Sequence, residues 1–173
     1  MFLLDTSVLS ALLNQDHSHH AKAINFQTQH AGQEQQLFVC VVSLAEMQFG
    51  LNMYEKRKPE PSPADLDAVR SRIHAAGKLS MPLEVTPHVA IEQGSLRSIW
   101  AWTVAPHKAA QGKLKGTPPE SWSEDWPADK LQITENDIWI AAVALTHDLT
   151  LVTCDKDFNK LATANSKLRI RQL

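Results

Sequence analysis

Phe2-Leu3-Leu4-Asp5-Thr6-Ser7-Val8-Leu9-Ser10-Ala11-Leu12-Leu13 reads as strand, turn and helix, in that order. The apolar run Phe2–Leu4 is short, and it stops at a polar triplet in which Asp5 or Ser7 can cap the amphipathic stretch Val8–Leu13. The same grammar returns further along. Leu37-Phe38-Val39-Cys40-Val41-Val42 is continuously apolar and β-branched, which predicts a strand covered on both faces, with Ser43 opening a helix from Leu44 to about Lys58. Leu83-Glu84-Val85-Thr86 before Pro87 predicts a third strand, followed by a helix from about Val89 into the Trp100–Trp102 region. Thr134 starts a helix whose Ile138–Leu145 segment is apolar nearly all round and so should be buried, and Leu149–Cys154 is the next strand. Leu168–Leu173 alternates basic and apolar residues, as a last edge strand does. Two further helices are expected outside these units. One is polar and runs from His17 to about Gln33, ending near Gly32; the other covers about Ala64–Ala76, after Pro59, Pro61 and Pro63 break the chain. Alternation of strand and helix without an internal repeat predicts an α/β chain, a three-layer α/β/α arrangement around a mostly parallel central sheet with right-handed crossovers.

At 173 residues, with 43% hydrophobic and 21% charged side chains, the chain has the composition of one globular domain, here residues 1–173, and not of a disordered or fibrous segment. Residues from about 106 to 130 carry glycines and prolines amid mixed charge with no period, which predicts a surface excursion within that domain. Apolar runs fall short of the ~20 residues a membrane span needs, and Met1–Leu4 meets Asp5 too soon for a signal-peptide core. The cytoplasm is the expected compartment, and Cys40 and Cys154, both in apolar segments, are expected as reduced thiols. A net charge of −2 does not announce a nucleic-acid partner, although clustered acids that hold two dications would reverse its sign.

The acids carry more information than the net charge. In an open parallel sheet the functional crevice lies beyond the carboxyl ends of the strands. Asp5 follows the first strand, Glu46 lies one turn into the helix after the second, Asp155 follows the strand Leu149–Cys154, and Asp137 lies one turn into the helix that feeds that strand. Each has a structural reading as well. Ser43-x-x-Glu46 and Thr134-x-x-Asp137 have capping-box spacing, and Asp5, Asp155 and Asp157 suit caps and turns. Taken together, carboxylates crowded at the ends of buried strands repel one another and lose hydration unless a cation sits among them. A set of hard oxygen donors suits Mg²⁺ or Mn²⁺ rather than zinc. Thr6, Ser7, Asn136 and Thr153 stand where they can orient those ligands or a bound water.

Four segments carry a resemblance to a known family. Phe2–Ser7, Val42-Ser43-Leu44-Ala45-Glu46, the helix from Asn136 to Ala144, and Leu151–Phe158 with its Thr153-Cys154-Asp155-Lys156-Asp157 turn resemble, in order and spacing, the four motifs of PIN-domain ribonucleases, especially the VapC-type toxins. The likeness covers most of residues 1–103 and 132–173 and leaves out the 106–130 stretch. It implies that Asp5, Glu46, Asp137 and Asp155 hold one or two divalent metals, Mg²⁺ or Mn²⁺, with Asp157 a supporting or substitute ligand. It also implies that a metal-activated water attacks an RNA phosphodiester, that a small antitoxin and a second copy of the chain are partners, and that Lys156 and Lys160 contact substrate at the rim.

Other signals are weaker. His17, His19 and His20 read as solvated or helix-neighbour histidines, and no His-Glu-x-x-His accompanies them. Trp122 and Trp126 read first as residues that fold the excursion onto the body, ahead of base stacking or partner contact. Two alternative functions stay open: a PIN-like RNA- or protein-binding module without chemistry, and a haloacid-dehalogenase-like phosphotransferase. The latter wants a second acid two residues after the first, where Ser7 stands.

Overall fold

A computed structural model describes residues 1–30, 36–123 and 133–173. Its centre is a four-stranded sheet of β1 (Phe2–Leu4), β2 (Leu37–Phe38), β3 (Thr150–Thr153) and β4 (Ile170–Gln172), in the order β2-β1-β3-β4. Every pairing is parallel, with Leu3 opposite Phe38 and Leu151, and Leu151 opposite Ile170. Because successive strand residues point to opposite faces, this register sorts the core into two halves. Leu3, Phe38, Leu151 and Ile170 face one apolar cluster, while Phe2, Leu4, Leu37 and Val152 face the other.

The helices divide accordingly. α1 (Thr6–Leu13) and α2 (His20–His30) cover the second cluster through Val8, Leu9, Leu12, Ala23 and Phe26. α5 (Pro87–Val104), α7 (Glu135–Thr146) and α8 (Phe158–Ala164) cover the first through Val89, Leu96, Trp100, Ile138, Ile140, Phe158 and Leu161. α3 (Val41–Glu55) reaches both, giving Val42 to one cluster and Leu44 and Met47 to the other. α4 (Pro63–Lys78) packs on α3 and starts at Ser62, whose hydroxyl and Asp65 form a reciprocal capping box. The result is the three-layer α/β/α arrangement with a parallel sheet. α7 is apolar nearly all round for a reason, since residues Ile138 and Ile140–Ala144 are all buried in the layer between α5 and the sheet.

Two expectations need correction. The apolar run at 37–42 is a strand only over Leu37–Phe38, and α3 begins at Val41, ahead of Ser43. β1 is three residues long, so it pairs only with Leu37 and Phe38 on that side; beyond it Cys40 meets Leu83, and the chain then turns into helix. Leu83–Thr86 is therefore a single parallel bridge to Cys40 and not a strand. Pro82 and Pro87 flank it, Glu84 and Val85 are exposed, and Thr86 is given over to capping α5 by accepting from the Val89 N–H. The described part of the 106–130 stretch contains a short helix α6 (Pro106–Ala110) and a 3₁₀ turn at Pro119–Ser121 that lead to Trp122. That indole is buried, donates to the Thr117 carbonyl at 3.1 Å, and lies under the Arg97 guanidinium at 5.2 Å. Trp126, Gly32 and Lys130 lie outside the described residues.

Cys40 and Cys154 are free thiols. Among the described residues no helix is long and apolar enough to cross a membrane.

Candidate active site

Asp5 leaves the carboxyl end of β1 with its N–H held by the Val152 carbonyl of β3 at 3.1 Å, so its side chain is aimed by the sheet itself. It is the N-cap of α1: Oδ1 accepts from the Val8 N–H at 2.8 Å. The hydroxyls of Ser7 and Thr153 donate to the same carboxylate, at 2.8 Å and 2.6 Å. Thr153 also accepts from the Asp155 N–H at 2.9 Å, and Ser7 from the Cys154 N–H at 2.9 Å, which stitches the β1 and β3 exits together. Asp155 is held in its turn, its Oδ1 accepting from the Asp157 N–H at 2.8 Å.

Asp137 reaches the same place from α7. It is the third residue of a complete capping box, with Oδ2 accepting from the Thr134 N–H at 2.7 Å and the Thr134 hydroxyl at 2.8 Å. The capping reading of this acid is therefore true, and it does not exclude the other, because a carboxylate has further lone pairs. Glu46 differs. α3 is capped at Cys40 without a side-chain bond, and Ser43 is buried against the Cys40 thiol, so Glu46 has no cap to serve. Its Oε2 accepts instead from the Thr6 hydroxyl of α1.

These four acids line one cavity of about 320 Å³, together with Thr6, Ser7, Ser10, His17 and Ile140. A second cleft of about 270 Å³ shares Thr6, Ser10 and Glu46 with it and runs between α1, α3 and α4 over Leu13, Met47, Leu51, Val69 and Ile73 to Arg72. Of the supporting residues named from sequence, Thr6, Ser7 and Thr153 orient the acids as described. Asn136 is exposed on α7 and lies apart from the cavity lining. Asp157 also lies apart: its carboxylate pairs with Lys160, one turn along, while Lys156 is exposed. His17, read from sequence as a solvated or helix-neighbour histidine, is part of the lining. Its place depends on how α1 ends at Asn14 and turns back into α2, which local sequence spacing does not report.

The electrostatics follow from the crowding. Burial pushes the Asp5 carboxyl up to about 6, against the lowering effect of its three hydrogen-bond donors, and the Asp155 charge adds to the rise. Burial likewise pushes Asp137 up to about 7, with the Thr134 bonds lowering it and the charges of Glu46 and Asp155 raising it. Both groups thus hold their protons to higher pH than an ordinary carboxyl, chiefly because burial disfavours the charged form. A divalent cation fits this donor set, which is made of hard carboxylate and hydroxyl oxygens. Among the described residues no three His, Cys, Asp or Glu side chains converge as a finished ligand cage. The four acids line the cavity without forming such a cage.

The family model for the PIN domain matches residues 2–92 and 123–164, which include all four lining acids. No curated protein matches the sequence. Among solved structures, VapBC2 from Rickettsia felis bound to a DNA fragment from their promoter is similar at 18% identity and TM-score 0.64, over 99% of this chain and 97% of that one. FitAcB from Neisseria gonorrhoeae is similar at 18% identity and TM-score 0.63, over 98% and 96%. VapBC-5 from Mycobacterium tuberculosis, of the VapBC family of toxin–antitoxin systems, is similar at 21% identity and TM-score 0.55, over 99% and 97%. At these identities the likeness is one of fold. The family match spans most of the sequence and both ends of the sheet's acid rim, and on that ground the chain belongs to the PIN domain family.

Proposed function

We propose that the protein is a divalent-metal-dependent endoribonuclease that hydrolyses RNA phosphodiesters, and that it is the toxin of a toxin–antitoxin pair. The observation that carries the nuclease reading is the meeting of Asp5, Glu46, Asp137 and Asp155, drawn from four separate segments, around one cavity. Acids placed that way repel a phosphate by themselves, so their collective use requires a cation of the Mg²⁺ or Mn²⁺ class. Such an ion supplies Lewis acidity toward the phosphoryl oxygens and lowers the pKa of water.

The protein's own part is placement. Asp5 is fixed by Val8, Ser7 and Thr153 so that its carboxylate cannot rotate away from the cavity. Thr6 steadies Glu46 across the gap between α1 and α3. Thr134 holds Asp137, and the backbone of Asp157 holds Asp155. Acids held by several bonds keep the same positions whether or not the cation is there, which lowers the reorganisation needed at reaction. The Ser7 hydroxyl, standing where a haloacid-dehalogenase-like phosphotransferase wants its second acid, instead donates to Asp5.

The toxin reading is supported by the fold shared with VapBC and FitAcB. On that reading a small antitoxin protein and a second copy of the chain are partners, the compartment is the cytoplasm, Asp157 is a supporting or substitute metal ligand, and Lys156 and Lys160 contact RNA at the rim. The test is direct. Purified protein is expected to cleave single-stranded RNA with Mg²⁺ or Mn²⁺ and to stop with EDTA or with Asp5→Asn. Cleavage that survives Asp5→Asn refutes the assignment. Co-purification with the product of the adjoining reading frame tests the partner, and light scattering tests the dimer.

A further inference from the structure

His17 is the only imidazole among the described residues that line the acidic cavity. It sits in the connection between α1 and α2, which is pinned at several points. Asn14 accepts from the His17 N–H at 3.1 Å and, through its side chain, from the Asp16 N–H at 3.3 Å, and the His17 carbonyl accepts from the His20 N–H at 2.8 Å. The ring itself is fixed as well. Its Nδ1 accepts from the His19 backbone N–H at 3.2 Å, and the His19 ring packs against it at 5.9 Å between centroids.

That bond has a chemical consequence. With the Nδ1 lone pair committed to an amide, the neutral ring carries its proton on Nε2, so the edge left over is a donor and not a lone pair. Metal coordination through Nε2 would need the proton moved to Nδ1 and the His19 bond broken, so His17 is unsuited to join the acids as a ligand. Two of the other hydroxyls that line the cavity are engaged. Thr6 and Ser7 already give their hydroxyl protons to Glu46 and Asp5. In a space dominated by acceptors, an uncommitted N–H donor is what an anionic substrate requires.

We infer that His17 is a substrate-binding residue whose Nε2–H donates to a non-bridging oxygen of the RNA phosphate entering the cavity. The inference rests on the nuclease reading and adds a contact to it. Two variants separate the donor from the ring: His17→Phe keeps a ring beside His19 without the donor, and His17→Gln places an amide N–H near Nε2. Each is compared with wild type in steady-state cleavage of a fluorescein-labelled single-stranded RNA oligonucleotide with Mn²⁺. Mn²⁺ binding without RNA is followed in parallel by electron paramagnetic resonance, and folding by circular dichroism.

A hydrogen bond to a charged group predicts that His17→Phe lowers kcat/KM by roughly tenfold to a hundredfold, mainly through KM, while His17→Gln stays within roughly threefold of wild type. Mn²⁺ affinity should be the same in all three. Wild-type kcat/KM in a folded His17→Phe protein overturns the inference, as does an equal loss in folded His17→Gln, which would make shape the cause. Weaker Mn²⁺ binding in His17→Phe also overturns it, by making the imidazole a ligand. If wild type cleaves and Asp5→Asn does not, those outcomes fall on His17 alone; if wild type does not cleave, the nuclease reading and this inference fall together.

Discussion

Replacing Asp137 by Asn should stabilise the metal-free protein at high pH and leave its stability nearly unchanged at low pH. Asp137 titrates near 7 in the folded chain against an ordinary 3.8. A carboxyl whose folded pKa is raised binds its proton more tightly folded than unfolded, so stability falls as pH rises between those two values. The whole penalty is present above 7 and absent below 3.8. Three pK units at 1.36 kcal/mol each give about 4 kcal/mol, of which the charges of Glu46 and Asp155 are part and burial the larger part. Asparagine removes that penalty. It keeps an acceptor for the Thr134 N–H but gives up a negative charge in the first turn of α7, at about 1 kcal/mol. The net gain at pH 8 is therefore about 2–3 kcal/mol, or roughly 5–10 °C in Tm for a chain of this size. At pH 4 the gain nearly vanishes, because the wild-type carboxyl is protonated there and the variant exchanges one neutral acceptor for another. Urea unfolding in EDTA at the two pH values measures both numbers. A variant less stable than wild type at pH 8 would show that this carboxylate is not strained by burial among like charges, and the case for a cation in the cavity would lose its electrostatic basis.

Other outcomes follow from the same geometry. Mn²⁺ should raise the Tm of the wild type more at pH 8 than at pH 5, since protons and the cation compete for Asp5 and Asp137; differential scanning calorimetry with an equal rise at both pH values would contradict this. Thr6→Val removes the hydroxyl that steadies Glu46, and should cut cleavage about tenfold with the fold unchanged, while Thr6→Ser restores it; the comparison is one of initial rates under matched Mn²⁺. Trp122→Ala should cost about 3–5 kcal/mol in urea unfolding, because the indole is buried under Arg97 and bonded to Thr117, whereas an excursion that merely covered the surface would tolerate the change.

The sequence made the layer order legible because strand and helix signals alternate in units of ordinary length, and because Ile138–Leu145 is too apolar to lie at a surface. What it misplaced were boundaries decided by partners far away in the chain. Val39 to Val42 have strand propensity in full, yet β1 stops at Leu4 and leaves them nothing to pair with except Leu83. The site shows the same division. Asp5, Glu46, Asp137 and Asp155 were readable because each stands at a fixed offset from a strand end or helix start. Their mutual distance was not, nor was the bond from Thr6 that draws Glu46 across from another helix. His17 was read as a solvated or helix-neighbour histidine from its place near a polar helix, and local spacing did not report that the cavity it lines also holds acids from the β1 and β3 exits, α3 and α7.

The capping box at Thr134 shows why structural and chemical readings of one acid need not compete. A cap requires a carboxylate at the start of a helix, and α7 starts at the rim because its apolar body must fill the layer between α5 and the sheet. The packing of α7 therefore decides where Asp137 stands, and the cap decides how it is turned. Neither act depends on a metal. The fold thus delivers four acids to one space at a cost of several kcal/mol in repulsion and lost hydration, a cost that neutral residues at the same caps would avoid. A cluster of one buried and three half-buried acids that lowers the stability of its own fold supports the proposed cation site, and it is the reason that removing a charge should make this protein sturdier and inactive together.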